Sequence, residues 1–556
     1  MPRWFALILT LAAVIGTAGA PLWAQLSPGA RRFIATGPDN PTPASFRRQW
    51  VEFEKLPFDG AVIRPTRQLA DGTLEPADFV FSRHPWQPAE IDAMVADFKE
   101  VKPTRAREIF LAVQARPGDV DWFDDTGWRE TVDHWRLLAR AAKLGGLRGL
   151  AFDIAPDGEA GPLFDYAAQA KRKEKDFTAY AKVARDRGRD VMLAIASEFP
   201  EAVIFCPSLY SELVPLLSGE ASPAGLLPSH RLGLLPPFLD GWWDAAPPKV
   251  QIIDGLRPAS RHAVSEADFS RAYTTLRTQV ARLAAPDHRT KLRAQFLIGQ
   301  GVPLDSFLLT RAATPSSPTE SATAPDLRLT ATATAALRAS DGWIWIGGHA
   351  GRWWTADSDG TQPAPWVDAI PGVATALARA RTPTTAARER LATASPAENR
   401  LVNGDFTKEG REGLPESWWT WQRDDSRGTA RREPPVGDAN QPATATWSGA
   451  TEAHFGQEID VKAGETYVLG SLAKSTGPGT AVLKIGWKDT RGQWTAPEAN
   501  VILPPDTPPD PDGWQELAAL IRVPPGASQL VVMLGALGQP APEDRIVFAR
   551  AQAVRL

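Results

Sequence analysis

The stretch Gly145-Gly146-Leu147-Arg148-Gly149-Leu150-Ala151-Phe152-Asp153 decides the fold. It is a short apolar run ending in a carboxylate, set between two segments of helical periodicity, Trp128–Lys143 and Phe177–Phe199. A helix, a strand and another helix in that order are the unit of a parallel α/β sheet.

Working outward, the same alternation runs from Arg31 to about Pro383. Apolar runs recur at Arg32–Thr36, Ala61–Arg64, Ile109–Gln114, Leu147–Asp153, Ala202–Cys206, Val250–Asp254, Leu292–Ile298 and Gly342–Ile346. Helical periodicity follows each of them, at Phe46–Leu56, Ala89–Phe98, Trp128–Lys143, Phe177–Phe199, Leu235–Ala246, Ala267–Leu283, Leu327–Leu337 and Trp366–Ala380. Eight strands alternating with eight helices predict an α/β fold, a (β/α)8 TIM-type barrel over residues 31–383. Asp190–Ala196 also has a strand's composition. Only five residues separate it from Ala202, too few for a parallel crossover, so it is assigned to the end of the preceding helix. Thr310–Asp326, built of Ala, Thr, Ser and Pro, predicts a flexible excursion, and Arg381–Asn399 predicts a linker spanning 384–400.

After Leu401 the period changes to two, with Pro, Gly and Asp turns. Gln457–Val461, Thr466–Ala473, Ala481–Trp487, Gln515–Val523, Gln529–Leu534 and Ile546–Val554 predict an antiparallel β-sandwich over 401–556. At the other end, Arg3 and the apolar run Phe5–Ile15 precede small residues up to Ala24, the pattern of a cleavable signal peptide over 1–24. Pro21 disfavours cleavage after Ala20, which leaves Ala18 or Ala24 as the end. The expected address is periplasmic or extracellular, and the mature chain is expected to be a monomer without a membrane span.

Lys plus Arg number 61 and Asp plus Glu 65, a net charge of −4 that argues against nucleic acid as a partner. Cys206 is the single cysteine, which excludes an internal disulfide and any Cys-based metal site. Trp is abundant, 21 against 5 Tyr; its broad face suits stacking on sugar rings and core packing alike. No zinc spacing, Gly-x-Ser-x-Gly elbow or phosphate-binding Gly loop is present.

In such a barrel the active site forms where the strands end. Strand two presents Arg64 there, strand three Gln114 and the run Asp119–Asp125, strand four Asp153, strand five Ser208 and Tyr210, strand six Asp254. Strand eight leads to His349, Arg352, Trp353 and Trp354. Carboxylates among Trp and Arg suit glycoside hydrolysis, in which one acid protonates the leaving oxygen and a second carboxylate attacks or activates water. Asp153 is the expected acid and Asp254 the nucleophile or base, with Asp125 next. Arg64, Gln114, Trp122, Asp124, Tyr210, His349 and Trp353 are the expected substrate contacts. An Asp before Gly, as Asp254 stands before Gly255 and Asp59 before Gly60, is equally a turn or helix cap. Trp242 and Trp243 read as packing on their helix.

Two resemblances add to this reading. Leu401-Val402-Asn403-Gly404-Asp405-Phe406, Leu414-Pro415, the Trp418-Trp419-Trp421 group and Ala463-Gly464-Glu465-Thr466-Tyr467 resemble a CenC-type carbohydrate-binding module, a galactose-binding-like jelly roll. The resemblance implies a glycan as partner. The positions where that family places calcium ligands hold Thr407 and Ala549-Arg550, so a structural calcium does not carry over and no cofactor is expected. Phe58-Asp59-Gly60, Gly118–Asp125, Gly149–Asp153, Ile253-Asp254-Gly255 and Trp343-Ile344-Trp345 resemble a group of bacterial glycoside-hydrolase-like barrels. Slots that are acidic in that group hold Ala155, Arg257 and His349, which implies a barrel that binds glycans without cleaving them as the alternative to a hydrolase.

Overall fold

The computed structural model describes residues 31–556 except 39, 155–160, 218–221, 262, 264, 309–324, 356–362, 436–441 and 506–507. The expected signal peptide, the Thr310–Asp326 excursion up to residue 324, and Ala155 lie outside the described residues. No helix among those described is long and apolar enough to cross a membrane.

The N-terminal part is a nearly closed ring of parallel strands. In chain order they are Arg32–Ala35, Gly60–Ile63, Glu108–Pro117, Gly149–Asp153, Val203–Cys206 and Gln251–Asp254, then Phe296–Ile298 with Gln300–Pro303, and last Trp343–Gly347. Each pairs in parallel with its neighbours, and the first pairs with both the second and the last. Strand seven joins the two ends. Phe296 pairs with Ile252 of strand six, and Gln300, two residues past Ile298, pairs with Ile344 of strand eight.

Side-chain alternation divides the ring into two apolar layers. Ile34, Val62, Phe110, Phe205, Ile253, Trp343 and Trp345 fill the interior, while Phe33, Ile63, Leu111, Phe152 and Ile204 face the helices. Burial on both faces explains why these strands read as unbroken apolar runs. The helices Pro43–Phe53, Asp92–Glu100, Asp125–Leu144, Phe177–Glu198, Leu235–Ala245, Glu266–Gln279, Pro325–Arg338 and Val373–Arg381 follow the eight strands in turn. Asp190–Ala196 lies within the fourth of them. Leu292–Gln295, expected as strand, is helical, because Arg289–Gln295 forms a short helix that carries the chain onto the ring.

Two antiparallel sheets follow. One contains Trp419–Gln422, Glu452–Asp460, Gln529–Leu537 and Thr480–Lys488, with Trp494–Thr495 and Val501–Leu503 at its edge. The other contains Thr429–Glu433, Thr444–Ser448, Arg545–Arg555, Thr466–Thr476 and Gln515–Arg522. Phe455, Leu483 and Leu534 of the first share one buried cluster with Trp447, Leu469 and Phe548 of the second. The expected linker is ordered: Pro383–Thr393 is a helix, and Leu391 packs over Gly470, where a Cβ would lie 2.4 Å from its Cδ1.

Candidate functional site

A cavity of about 620 Å³ opens where the parallel strands end. Its polar wall is built residue by residue from the strand ends. Asp153 closes strand four and accepts a hydrogen bond from Arg257 Nη1 at 2.8 Å; Arg257 Nη2 donates to Ser208 Oγ at 3.0 Å. Arg257 reaches this position because of the turn after strand six. There Asp254, wholly buried, accepts from Ser211 N at 2.8 Å, Ser211 Oγ at 2.6 Å and Leu256 N at 3.1 Å. Leu256 adopts the left-handed conformation at φ 50°, an uncommon state for a bulky residue that the anchored Asp254 enforces. Trp345 Nε1 donates to Gly255 O at 2.8 Å and fixes the same turn from below.

Asp78 lies on the excursion after strand two, just before Phe79–Phe81, which pairs with strand three. Its side chain is only 1% exposed. Arg64 Nε lies 3.2 Å from Asp78 Oδ2, and Gln114 Nε2 donates to the same oxygen at 2.7 Å. Oδ1 has no partner among the described residues. Burial pushes the Asp78 carboxyl above its ordinary range, against the opposing pull of the Arg64 guanidinium. Asp305, after strand seven, accepts from His349 N and Ala350 N, which places the His349 imidazole on the rim.

Arg64, Gln114, Asp153 and His349 thus line one cavity as expected sites. The other expected contacts lie elsewhere. Asp254 does not line the cavity; its three hydrogen bonds give it the capping role, and burial pushes its carboxyl up to about 6. Asp125 begins the helix Asp125–Leu144 and pairs with Arg187, its side chain 80% exposed. Asp124 caps the same helix, accepting from Thr126 N and Gly127 N. Trp122 is buried, its indole donating to Leu163 O at 2.9 Å. Tyr210 is equally buried and accepts from Trp243 Nε1 at 3.0 Å. Trp353 is half-buried against Phe58 and donates to Ile346 O. These residues support the ring without reaching the cavity. The sequence pattern marks neither Asp78 nor Asp305. Asp78 precedes a three-residue strand too short to stand out in the sequence pattern, and Asp305 sits beyond Ile298, where the apolar run of strand seven ends. Neither carried a signal beyond being an Asp next to an apolar run.

Asp59, read as a turn residue, makes a stronger contact. Its two oxygens accept from Arg381 Nη1 and Nη2 at 2.7 and 2.8 Å, joining the start of strand two to the last helix of the ring. Among the described residues, Asp244, Asp287 and His288 are close enough together to hold a metal ion. Arg185 already lies 2.6 Å from Asp244 and 3.6 Å from Asp287, which makes the group an ion-pair network.

A second candidate surface lies on the C-terminal sheets. Trp419 pairs with Gly456 and Trp421 with His454, on the face opposite the core residue Phe455. The Trp419 ring covers Gly456, whose Cβ would meet it at 2.3 Å, and Trp421 stacks on His454 at 4.8 Å. Across the same sheet Trp494 lies over Gly486 and is 42% exposed. Lys484 and Lys488, each paired with a glutamate, stand between the two groups of rings.

No family model matches the chain, and no curated protein matches it. Solved structures similar to parts of it include the enzymatically active domain of tailspike protein 4 of bacteriophage CBA120, at 22% identity over 29% of this chain and 22% of that chain, with a TM-score of 0.23. The match therefore spans about a fifth of the tailspike chain's own length. A family 61 carbohydrate-binding module in complex with beta-1,4-galactotriose matches at 17% identity over 28% of this chain and 99% of its own, TM-score 0.21. A family 16 carbohydrate-binding module matches at 19% identity over 28% and 99%, TM-score 0.20.

Proposed function

We propose that the chain is an exported carbohydrate-active protein, a TIM-type (β/α)8 barrel over 31–383 joined through residues 384–400 to a jelly-roll sandwich over 401–556. The sandwich holds a glycan and the barrel cavity engages part of it. The observation that carries this reading is the outer face of the first sandwich sheet, where Trp419, Trp421 and Trp494 are laid flat over glycines and a histidine. Flat indole faces on an open sheet suit the apolar faces of pyranose rings, and the neighbouring lysines and glutamates suit hydroxyls. A glycan array probed with the full chain tests it. Binding that is lost in Trp421→Ala and Trp494→Ala supports the assignment; a bare array, or binding that survives both substitutions, sinks it.

One observation favours a second reading, hydrolysis in the barrel. Asp78 and Asp153 line one cavity, and burial raises the Asp78 carboxyl above its ordinary range. In that reading Asp78 takes the acid role expected of Asp153, while Asp153, held by Arg257, serves as the second carboxylate. Reducing-end release from an array-positive glycan, abolished in Asp78→Asn, is the expected result.

A further inference from the structure

We propose that the barrel cavity accepts an anionic saccharide, a sugar bearing a carboxylate or a sulfate ester, and that Arg64 and Arg261 are the guanidiniums that dock it. The inference rests on the reading of the protein as carbohydrate-active and names the class of sugar. Among the described residues four arginines line the cavity, Arg64, Arg116, Arg257 and Arg261, against three carboxylates, Asp78, Asp153 and Asp305. The two signs are disposed differently. Each carboxylate has wall partners: Asp153 accepts from Arg257, Asp305 from the backbone of His349 and Ala350, and Asp78 from Arg64 and Gln114.

Arg64 and Arg261 keep donors to spare. A guanidinium carries five N–H donors. The one side-chain contact of Arg64 is made through Nε, its side chain is 40% exposed, and its Nη groups have no partner among the described residues. Arg261 is exposed at the end of the short helix Arg257–Ser260, and its side chain has no partner among the described residues. A neutral sugar offers hydroxyls, which pair as well with carboxylates as with guanidiniums. Two forked cations with N–H donors still open select a planar or tetrahedral oxyanion instead.

The placement of the two arginines adds a constraint. Arg64 follows strand two and Arg261 follows strand six, four places apart in a ring of eight, so they stand on opposite sides of the mouth. Negative groups on successive residues of a charged oligosaccharide suit two guanidiniums placed on different strands. The cavity's volume lies in the range of small-ligand sites, about 300–1,000 Å³.

The test is calorimetric titration of the full chain with three oligosaccharides of equal length: an oligogalacturonate, a sulfated galactan fragment and a neutral galactan fragment. One of the two charged ligands is expected to bind about tenfold or more tightly than the neutral one, and to weaken as sodium chloride is raised. The arm that binds distinguishes carboxylate from sulfate. Arg261→Gln, which breaks no side-chain contact among the described residues, and Arg64→Lys, which keeps a cation beside Asp78, should each weaken the charged ligand about tenfold. Arg261→Gln should not alter a neutral glycan held by the sandwich. Equal binding of neutral and charged ligands, or a charged ligand indifferent to both substitutions, overturns the inference and leaves the carbohydrate reading standing. Silence in all three arms and on the glycan array brings down both.

Discussion

Asp254 shows how a strand-end carboxylate can serve a site it never touches. Its oxygens hold Ser211 and Leu256, the held turn carries Leu256 through φ 50°, and the next residue, Arg257, reaches Asp153. Replacement by Ala leaves three buried donors without partners and is expected to cost about 3 kcal/mol or more in chemical denaturation. The charge has its own signature. With the carboxyl pushed up to about 6 from 3.8, the folded chain holds this proton more tightly than the unfolded chain. This group's contribution to stability therefore falls as pH rises from about 4 to 6 and is level above that. Asp254→Asn should flatten that part of a melting-temperature profile; an unchanged profile would show that Asp254 titrates normally. In sequence Asp254 and Asp153 look alike, each the last residue of an apolar run. What separates them is the neighbour that folds back, Ser211 onto one and Arg257 onto the other.

Elements of the ring are joined by contacts that their own sequences barely announce. Gly188 in the helix Phe177–Glu198 and Gly241 in Leu235–Ala245 sit in helix interiors, where glycine is unfavourable. A Cβ on Gly188 would lie 1.9 Å from Phe238 O, and one on Gly241 2.0 Å from Arg185 O, so the two helices touch backbone to backbone. Alanine at either position should raise helix propensity yet destabilise the protein by about 1–3 kcal/mol, since the helices must separate. A stabilised variant would refute the close packing. The Asp59–Arg381 pair closes the ring in the same sense, tying its second strand to its last helix. Removing Asp59 strands a partly buried guanidinium, and Asp59→Ala is expected to lose about 3 kcal/mol by denaturant midpoint, with Arg381→Ala adding little further. Strand and helix order were legible because both faces of each strand are apolar and each helix has one apolar stripe. Thr429–Glu433 was not, since Arg431, Arg432 and Glu433 leave no apolar alternation to follow.

At the scale of the whole molecule the ring of parallel strands and the C-terminal sheets are joined by a buried polar contact. Arg338, 4% exposed in its side chain, lies 3.5 Å from Glu266 and donates to Leu520 O of the C-terminal sheets at 3.3 Å. Burial pushes the Glu266 carboxyl up to about 7 despite the adjacent guanidinium. Its contribution to stability is therefore lost as pH rises from about 4.5 to 7, and Glu266→Gln should remove that slope from the melting profile; a slope that persists would place its origin elsewhere. The sequence by itself determined the alternation of strand and helix, the switch to period two after Leu401, and the ring of polar strand ends, because periodicity and chain order are local properties. Only the tertiary structure decided which strand-end carboxylates face the cavity, which tryptophans are core and which lie open, and that Asp78 belongs with Arg64 and Gln114. Those outcomes depend on partners brought in from distant segments, and no local pattern encodes the direction in which a side chain meets them.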